Sequence, residues 1–444
     1  MNVKRYTGKM KDMKNILYIV LAMLGTTALA QQMPAAPQTG AYTIMNGTAH
    51  IGNGEVIENS VIVIENGKVT AIADATTVRM APKGEVIDAT GMHVYPGFIA
   101  ANTTLGLVEV DAVNASDDQR ELGVFNPHIR SIIAYNAESR VVETMRPNGI
   151  LIAQTVPRGG RISGQSSVVQ LDAWNWEDAA VRMDDGIHVN WPASFRRSGS
   201  WPNYGPIEPS KDYDEDIEAL RDFMRQAVAY KSTDNPADKD LKMEAMRRVL
   251  DGNANLYMHV SGEKAIVDVL AFAKANNVKN LVLVGARGAQ EIAGDIAAAG
   301  VPVLAGRVHN LPAREDADFD MPYKFPKILA DAGVTVALEN SGSMERHQVR
   351  NVPFYAGTLT GHGVDAEQAL MMITLNPAKI LGIDADYGSL EEGKSATLFI
   401  SQGNALDMRT NKLTRAFIDG RDISLDTRQK DLYERYMSKY ERQK

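Results

Sequence analysis

From Val94 onward the chain alternates short β-branched, apolar runs with amphipathic ones, and that alternation confines it to folds built on a parallel sheet. The clearest pieces predict strands at 256–260, 281–284, 301–305 and 334–338, with helices at 262–273, 289–298, 323–331 and 366–375. Parallel neighbours need a crossover of a dozen or more residues, and a helix of this length supplies it. The 444 residues, 44% of them hydrophobic, suffice for one large core and a smaller second one. Repeated βα units at this length make a closed barrel the natural arrangement.

The two flanks carry a different pattern. Residues 42–91 hold brief β-compatible runs, YTIMNGTAHIG, ENSVIVIENGKVTAIA and GEVIDATG, broken by Gly and Asn-Gly turns. After Leu381 the chain returns to strand and turn material in GIDADYGSLEEGKSATLFI and TNKLTRAFIDGRDI. The expected organisation is one small sheet domain, discontinuous in sequence, from 41–93 and 386–430. It encloses a barrel at 94–385, and 431–444 forms a C-terminal tail. Residues 192–210 show little periodicity, whereas 212–230 and 239–250 read as helices with mixed charge on the polar side. Residues 192–250 are therefore expected to form an insertion over one face of the barrel.

The first 30 residues read as a targeting segment. Met13-Lys14-Asn15 precedes the apolar run from Ile16 to Leu24, and small residues up to Ala30 suit cleavage there. The run is shorter than the roughly 20 residues of a bilayer-spanning helix. Residues 31–40, rich in Gln, Pro and Ala, read as a linker. The mature protein is expected in the periplasm or the medium, without a transmembrane anchor. The absence of cysteine excludes thiol nucleophiles, cysteine zinc sites and lipid attachment through an N-terminal cysteine. A net charge of -8 without a dense basic block gives no electrostatic reason to expect nucleic acid.

The run GMHVYPGFIAANTT enters the α/β region, and ITLNPAKILGIDADYGSLEEGKSATLFI closes it. Together with the first β segment and the final AFIDGRDI, these motifs resemble the amidohydrolase superfamily, particularly its imidazolonepropionase-like or dipeptidase-like members, over residues 42–425. The resemblance implies an α/β fold, a (β/α)8 TIM barrel with a composite β-sandwich domain, and hydrolysis of a C–N bond in a cyclic or peptide-like amide. It also implies a metal centre. In catalytic members the first strand ends in His-x-His, often with an aspartate two places earlier. Here Asn102 and Thr104 stand at the histidine positions and Ala100 at the aspartate. An amide and a hydroxyl are weak zinc donors beside neutral imidazole.

His259 matches the fifth-strand histidine, and Gly285 or its neighbours take the sixth-strand place. Glu339 and Asn340, with Ser341 beside them, fall where the eighth-strand aspartate is expected, and no counterpart of the metal-bridging lysine stands between 150 and 191. If the site is active, its groups are expected to be His259 with His309 or Glu339 for metal or proton transfer. Arg350, Tyr355 and Arg314 are then the substrate-binding candidates. Arg350 and Tyr355 serve equally well to fasten a loop. The acidic HNLPAREDADFD reads as a solvated loop before it reads as a hard-cation site. TVPRGGRISG, with two arginines among glycines, reads as a tight turn beside a β-hairpin before it reads as an anion site. No Gly-x-Ser-x-Gly elbow is present.

Two functions stay open. One is C–N hydrolysis through an altered site, with zinc or another divalent metal there as the cofactor alternative to none. The other is a non-catalytic barrel kept for ligand binding or assembly. The expected partner is a small-molecule substrate or ligand; a homo-oligomer rests only on how common dimers are.

Overall fold

The computed structural model describes residues 33–200, 203–233, 238–312 and 316–443. The expected targeting segment and Arg314 lie outside the described residues.

Strands β1 (Tyr42–His50), β2 (Val56–Glu65), β3 (Lys68–Asp74), β4 (Glu85–Asp88) and β5 (His93–Pro96) begin a sheet that the chain completes only near its end. After Gly97 the chain enters the barrel with β6 (Phe98–Thr103), β7 (Ile150–Thr155), β8 (Ile162–Gln170) and β9 (Ala180–Asn190). A hairpin of β10 (Phe195–Ser200) and β11 (Asn203–Pro209) follows, and the barrel resumes with β12 (Asn255–Ser261), β13 (Leu281–Arg287), β14 (Val303–Ala305) and β15 (Val336–Leu338). Strands β16 (Leu398–Ser401), β17 (Leu413–Ile418) and β18 (Arg421–Ile423) then return to the first sheet, β16 pairing antiparallel with β5. That sheet has its own core of Ile44, Ile62, Ile64, Val94, Leu398 and Phe417.

The barrel order is β6-β7-β8-β9-β12-β13-β14-β15, and a parallel bridge between Ala101 and Glu339 joins the two ends. One strand departs from the eight parallel ones of a regular (β/α)8 barrel: β8 runs antiparallel to both β7 and β9. The cause lies in the β7–β8 connection, Val156 to Arg161, which is too short for a crossover. Gly159 and Gly160 adopt φ of +86° and +65° there, so the chain reverses at once. The strand nevertheless stays in the wall, with all nine of its residues buried.

Inside the barrel, Ile99, Ile152, Val168, Val282, Leu304 and Ala337 form an apolar floor, covered by Ala378 and Leu381 of the helix Leu375–Leu381. Outside, helices such as Glu263–Ala275 and Met321–Asp331 bury Ile266, Val269, Phe325 and Leu329 against the strands. The helix predicted at 366–375 is two, Ala366–Met371 and Leu375–Leu381, because Pro377 lacks the N–H that a continuous helix needs and suits a new first turn.

Strands β10 and β11 pair as a hairpin where the sequence shows no periodicity. Phe195, Tyr204 and Ile207 are all exposed, so burial imposes no alternation on them. The helices Tyr213–Lys231 and Leu241–Asp251 bury Leu220, Met224, Met246 and Val249. Arg428–Glu441, within and before the expected tail, is a helix that buries none of its side chains. No helix among the described residues is long and apolar enough to cross a membrane.

Candidate active-face cleft

The upper half of the barrel interior is polar, and Asn102 starts the change. Its φ of +52° breaks the regular run of β6 and shifts the β6–β7 register between Ala100 and Thr103. Asparagine tolerates that conformation better than most residues. The backbone N–H of Asn102 donates to Gln154 Oε1 at 3.0 Å, and its side-chain Nδ2 donates to Glu339 Oε2 at 3.1 Å. Glu339 accepts two further bonds from Ser341, from the backbone N–H to Oε2 and from Oγ to Oε1 at 2.9 Å. Burial pushes the Glu339 carboxyl above the usual carboxylate range, against the pull of those donors and of the Arg158 charge.

Arg158, at the β7–β8 turn, reaches across this mouth. Its Nη1 donates to Asn102 Oδ1 at 2.9 Å and its Nη2 to the Asn102 carbonyl at 3.0 Å. Its Nε donates to Glu345 Oε1 at 3.0 Å in a pair whose side chains are 17% and 12% exposed. A cleft of about 780 Å³ opens here, lined among others by Thr104, Arg120, Arg158, His259, Ser341 and Glu345. That lies within the roughly 300–1,000 Å³ of small-molecule sites.

Beneath Arg158 lie two neutral histidines. His188 Nδ1 and His259 Nε2 are 2.9 Å apart, one donating to the other. Burial drives both below the usual histidine range, His259 to about 3, and the Arg158 charge adds to the effect. His188 is also stacked on Tyr257, with ring centroids 4.4 Å apart, and its buried Nε2 has no partner among the described residues. Gly186 makes room for that ring, since an added Cβ would stand 2.4 Å from Tyr257 Cε2. Tyr257 in turn donates to Asp185 Oδ2 at 2.6 Å; Gln154 Nε2 donates to the same oxygen at 2.9 Å and Ser166 Oγ to Oδ1 at 2.7 Å. The polar half of the barrel is thus one connected network.

Of the residues expected at the site, His259 and Thr104 line the cleft, and buried Asn102 is bonded to Glu339 and to the cleft-lining Arg158. Gly285 ends its strand at φ +79°, and an added Cβ there would meet only the Val260 carbonyl, at 3.7 Å. Asn340 ties the loop, its Nδ2 donating to the Glu345 carbonyl at 2.9 Å. Tyr355 is buried and donates to Asn340 Oδ1 at 2.5 Å. His309 pairs with Thr358 Oγ1 at 2.7 Å and packs edge-on to Tyr355, while exposed Arg350 offers its carbonyl to Asn148 Nδ2 at 2.9 Å. None of these last three lines the cleft. Sequence reasoning did not single out Arg158, His188, Asp185 or Gln154 as site groups. The one signal was the Arg-Gly-Gly-Arg run around Arg158, which reads as a tight turn before it reads as an anion site.

A metal of the implied kind needs several imidazole or carboxylate donors converging with free lone pairs. Here the two histidines are bonded to each other, both Glu339 oxygens accept protein donors, and the Asn102 amide oxygen accepts from a permanent cation. Among the described residues no group of three or more His, Asp or Glu side chains stands together so as to hold a metal ion. The residues present do not fit a metal centre of that kind.

Residues 325–423 match the Amidohydrolase family. A stretch of 91 residues is 36% identical to the 5-methylthioadenosine/S-adenosylhomocysteine deaminase of Moorella thermoacetica, covering 19% of this chain and 20% of that enzyme. The chain therefore spans about a fifth of the length of that curated relative. Among solved structures, an amidohydrolase from Thermotoga maritima MSB8 superposes with a TM-score of 0.75 at 23% identity, over 86% of this chain and 99% of that one. An adenosine deaminase from Xanthomonas campestris, solved with bound zinc, gives 0.54 at 16% identity over 92% and 99%. The fold is the one these solved structures share, and the family match is confined to residues 325–423.

Proposed function

We propose that this amidohydrolase-fold protein is exported and binds a small molecule in its active-face cleft without a divalent metal. The observation that carries the reading is the Arg158 guanidinium, bonded to Asn102 where the resemblance puts a metal-binding histidine. A permanent cation there repels a second one and offers a fixed donor array to a ligand. The leader, cleaved near Ala30, is part of the proposal.

A second reading is hydrolysis of a C–N bond without metal. It is favoured by Glu339, a carboxyl that burial raises above the usual carboxylate range and that accepts from Ser341. The amidohydrolase fold, shared with hydrolases of C–N bonds, supports this reading only at the level of reaction class.

A thermal-shift and turnover screen of the mature protein against small linear and cyclic amides, with chelator or with added zinc, separates the two. The binding reading expects a ligand-dependent rise in Tm that chelator does not alter, without turnover. Metal-independent turnover lost in Glu339→Gln is the outcome that favours the second reading. Turnover that depends on added zinc contradicts both.

A further inference from the structure

Resting on the ligand-binding reading above, we propose that the cleft recognises a carboxylate, that Arg158 receives it, and that Glu345 is a resident carboxylate holding the same place until a ligand displaces it. Two of the donors of Arg158 are tied to Asn102, which fixes the plane of the guanidinium. Its remaining Nε edge faces Glu345 Oε1, while Glu345 Oε2 accepts from the backbone N–H of Gly342 at 2.9 Å. A carboxylate held between a guanidinium and a main-chain N–H, both within the cleft, is the arrangement by which proteins take up free carboxylates. Arg120, exposed on the same cleft, adds a second positive charge.

The segment that carries Glu345 is built to yield. It follows Ser341–Met344, and Met344 adopts φ of +52° although its side chain is 56% exposed. A non-glycine residue in that conformation is held there by its surroundings at some cost. The bonds that hold this segment include those of Glu345 to Arg158, to Gly342 and, through its carbonyl, to Asn340. A competing carboxylate on Arg158 removes the first of these and frees the loop to relax.

The test is calorimetric titration of the full mature protein with N-acetylglycine and with N-acetylglycinamide, which differ by one carboxylate. The carboxylate probe is expected to bind and the amide to bind far more weakly. Glu345→Gln, which removes the competing charge and keeps the side-chain shape, is expected to tighten the carboxylate probe about tenfold. Arg158→Gln is expected to abolish its saturable binding. A merely structural role for the pair predicts that both substitutions weaken binding, so the opposite signs are diagnostic. If Arg158→Gln does not fold by circular dichroism, Glu345→Gln alone decides. An amide that binds as well as the carboxylate, or a Glu345→Gln protein that binds the carboxylate no better than wild type, overturns the carboxylate assignment and leaves the ligand-binding reading standing. Binding of neither probe to any of the proteins also overturns the assignment; the wider reading then falls only if the amide screen is empty as well.

Discussion

Asp185→Ala is expected to lower the stability of the folded protein by about 3–5 kcal/mol, read as a shift in the urea midpoint. Asp185 is fully buried in the barrel and accepts from Tyr257, Gln154 and Ser166. Removing it leaves the Tyr257 hydroxyl proton without an acceptor. Gln154 Nε2 keeps Ser166 Oγ at 3.1 Å, and Ser166 Oγ keeps the Gly186 carbonyl at 3.4 Å. A buried donor stripped of its partner costs roughly 1–3 kcal/mol, and the lost carboxylate also leaves a hole between Tyr257, Gln154 and Ser166. Asp185→Asn keeps one acceptor oxygen and nearly the same volume, so it is expected to cost clearly less. Equal midpoints for Asp185→Ala and wild type would mean that the network does not hold the barrel interior together.

Acidification is expected to destabilise the wild-type protein more than His259→Gln. Folded His259 stays neutral down to about pH 3, whereas in the unfolded chain it takes up a proton near pH 6.5. Below 6.5 the unfolded state therefore binds a proton that the folded state refuses. The stability associated with this group is intact above 6.5 and is lost progressively as the pH falls toward 3. At about 1.4 kcal/mol per pH unit, the loss at pH 4.5 is roughly 2–3 kcal/mol.

The buried carboxyls act in the other direction. Burial raises both Asp185 and Glu339, so the folded state holds their protons to higher pH, and they favour folding as the solution becomes acid. They are present in both proteins and cancel in the difference; His188 keeps its burial penalty in both, and loss of the His259 charge eases that penalty in the variant, which acts in the same direction. Denaturation curves of wild type and His259→Gln at about pH 7.5 and 4.5 make the comparison. Parallel pH profiles would contradict a neutral, buried His259.

The sequence made the architecture legible wherever burial imposes a pattern. The helices between β12 and β15 bury one face each, so their periodicity survives in the residues, while the strands, buried almost throughout, read as short continuous apolar runs between them. The reversal at β8 was not legible. A fully buried strand shows no alternation, and only the Gly159-Gly160 turn hints at its direction. The exposed β10–β11 hairpin failed for the opposite reason, since it buries neither face.

At the site, the replacement of the expected histidines by Asn102 and Thr104 was plain from the motif, and so was the place of His259. What replaced the metal shell was not. Arg158 reaches Asn102 from a different strand connection, 56 residues along the chain, and Glu345 comes from beyond β15. Such convergence depends on closure of the barrel, which no local spacing records. Arg350 and Tyr355 were chosen for their chemistry on a loop near the opening. The segment is helical, a turn at Val349–Asn351 leading into the helix Val352–Gly361, whose packing turns the phenol inward to Asn340 and leaves Arg350 out of the cleft lining.

The most direct measurement is metal content. The purified protein is dialysed against zinc, then against metal-free buffer, and analysed by inductively coupled plasma mass spectrometry, with Arg158→Ala run alongside. With the histidines bonded to each other and the Arg158 guanidinium on Asn102, wild type is predicted to emerge without stoichiometric zinc. Zinc retained at close to one ion per wild-type chain would contradict a metal-free cleft and return the protein to the metallohydrolases.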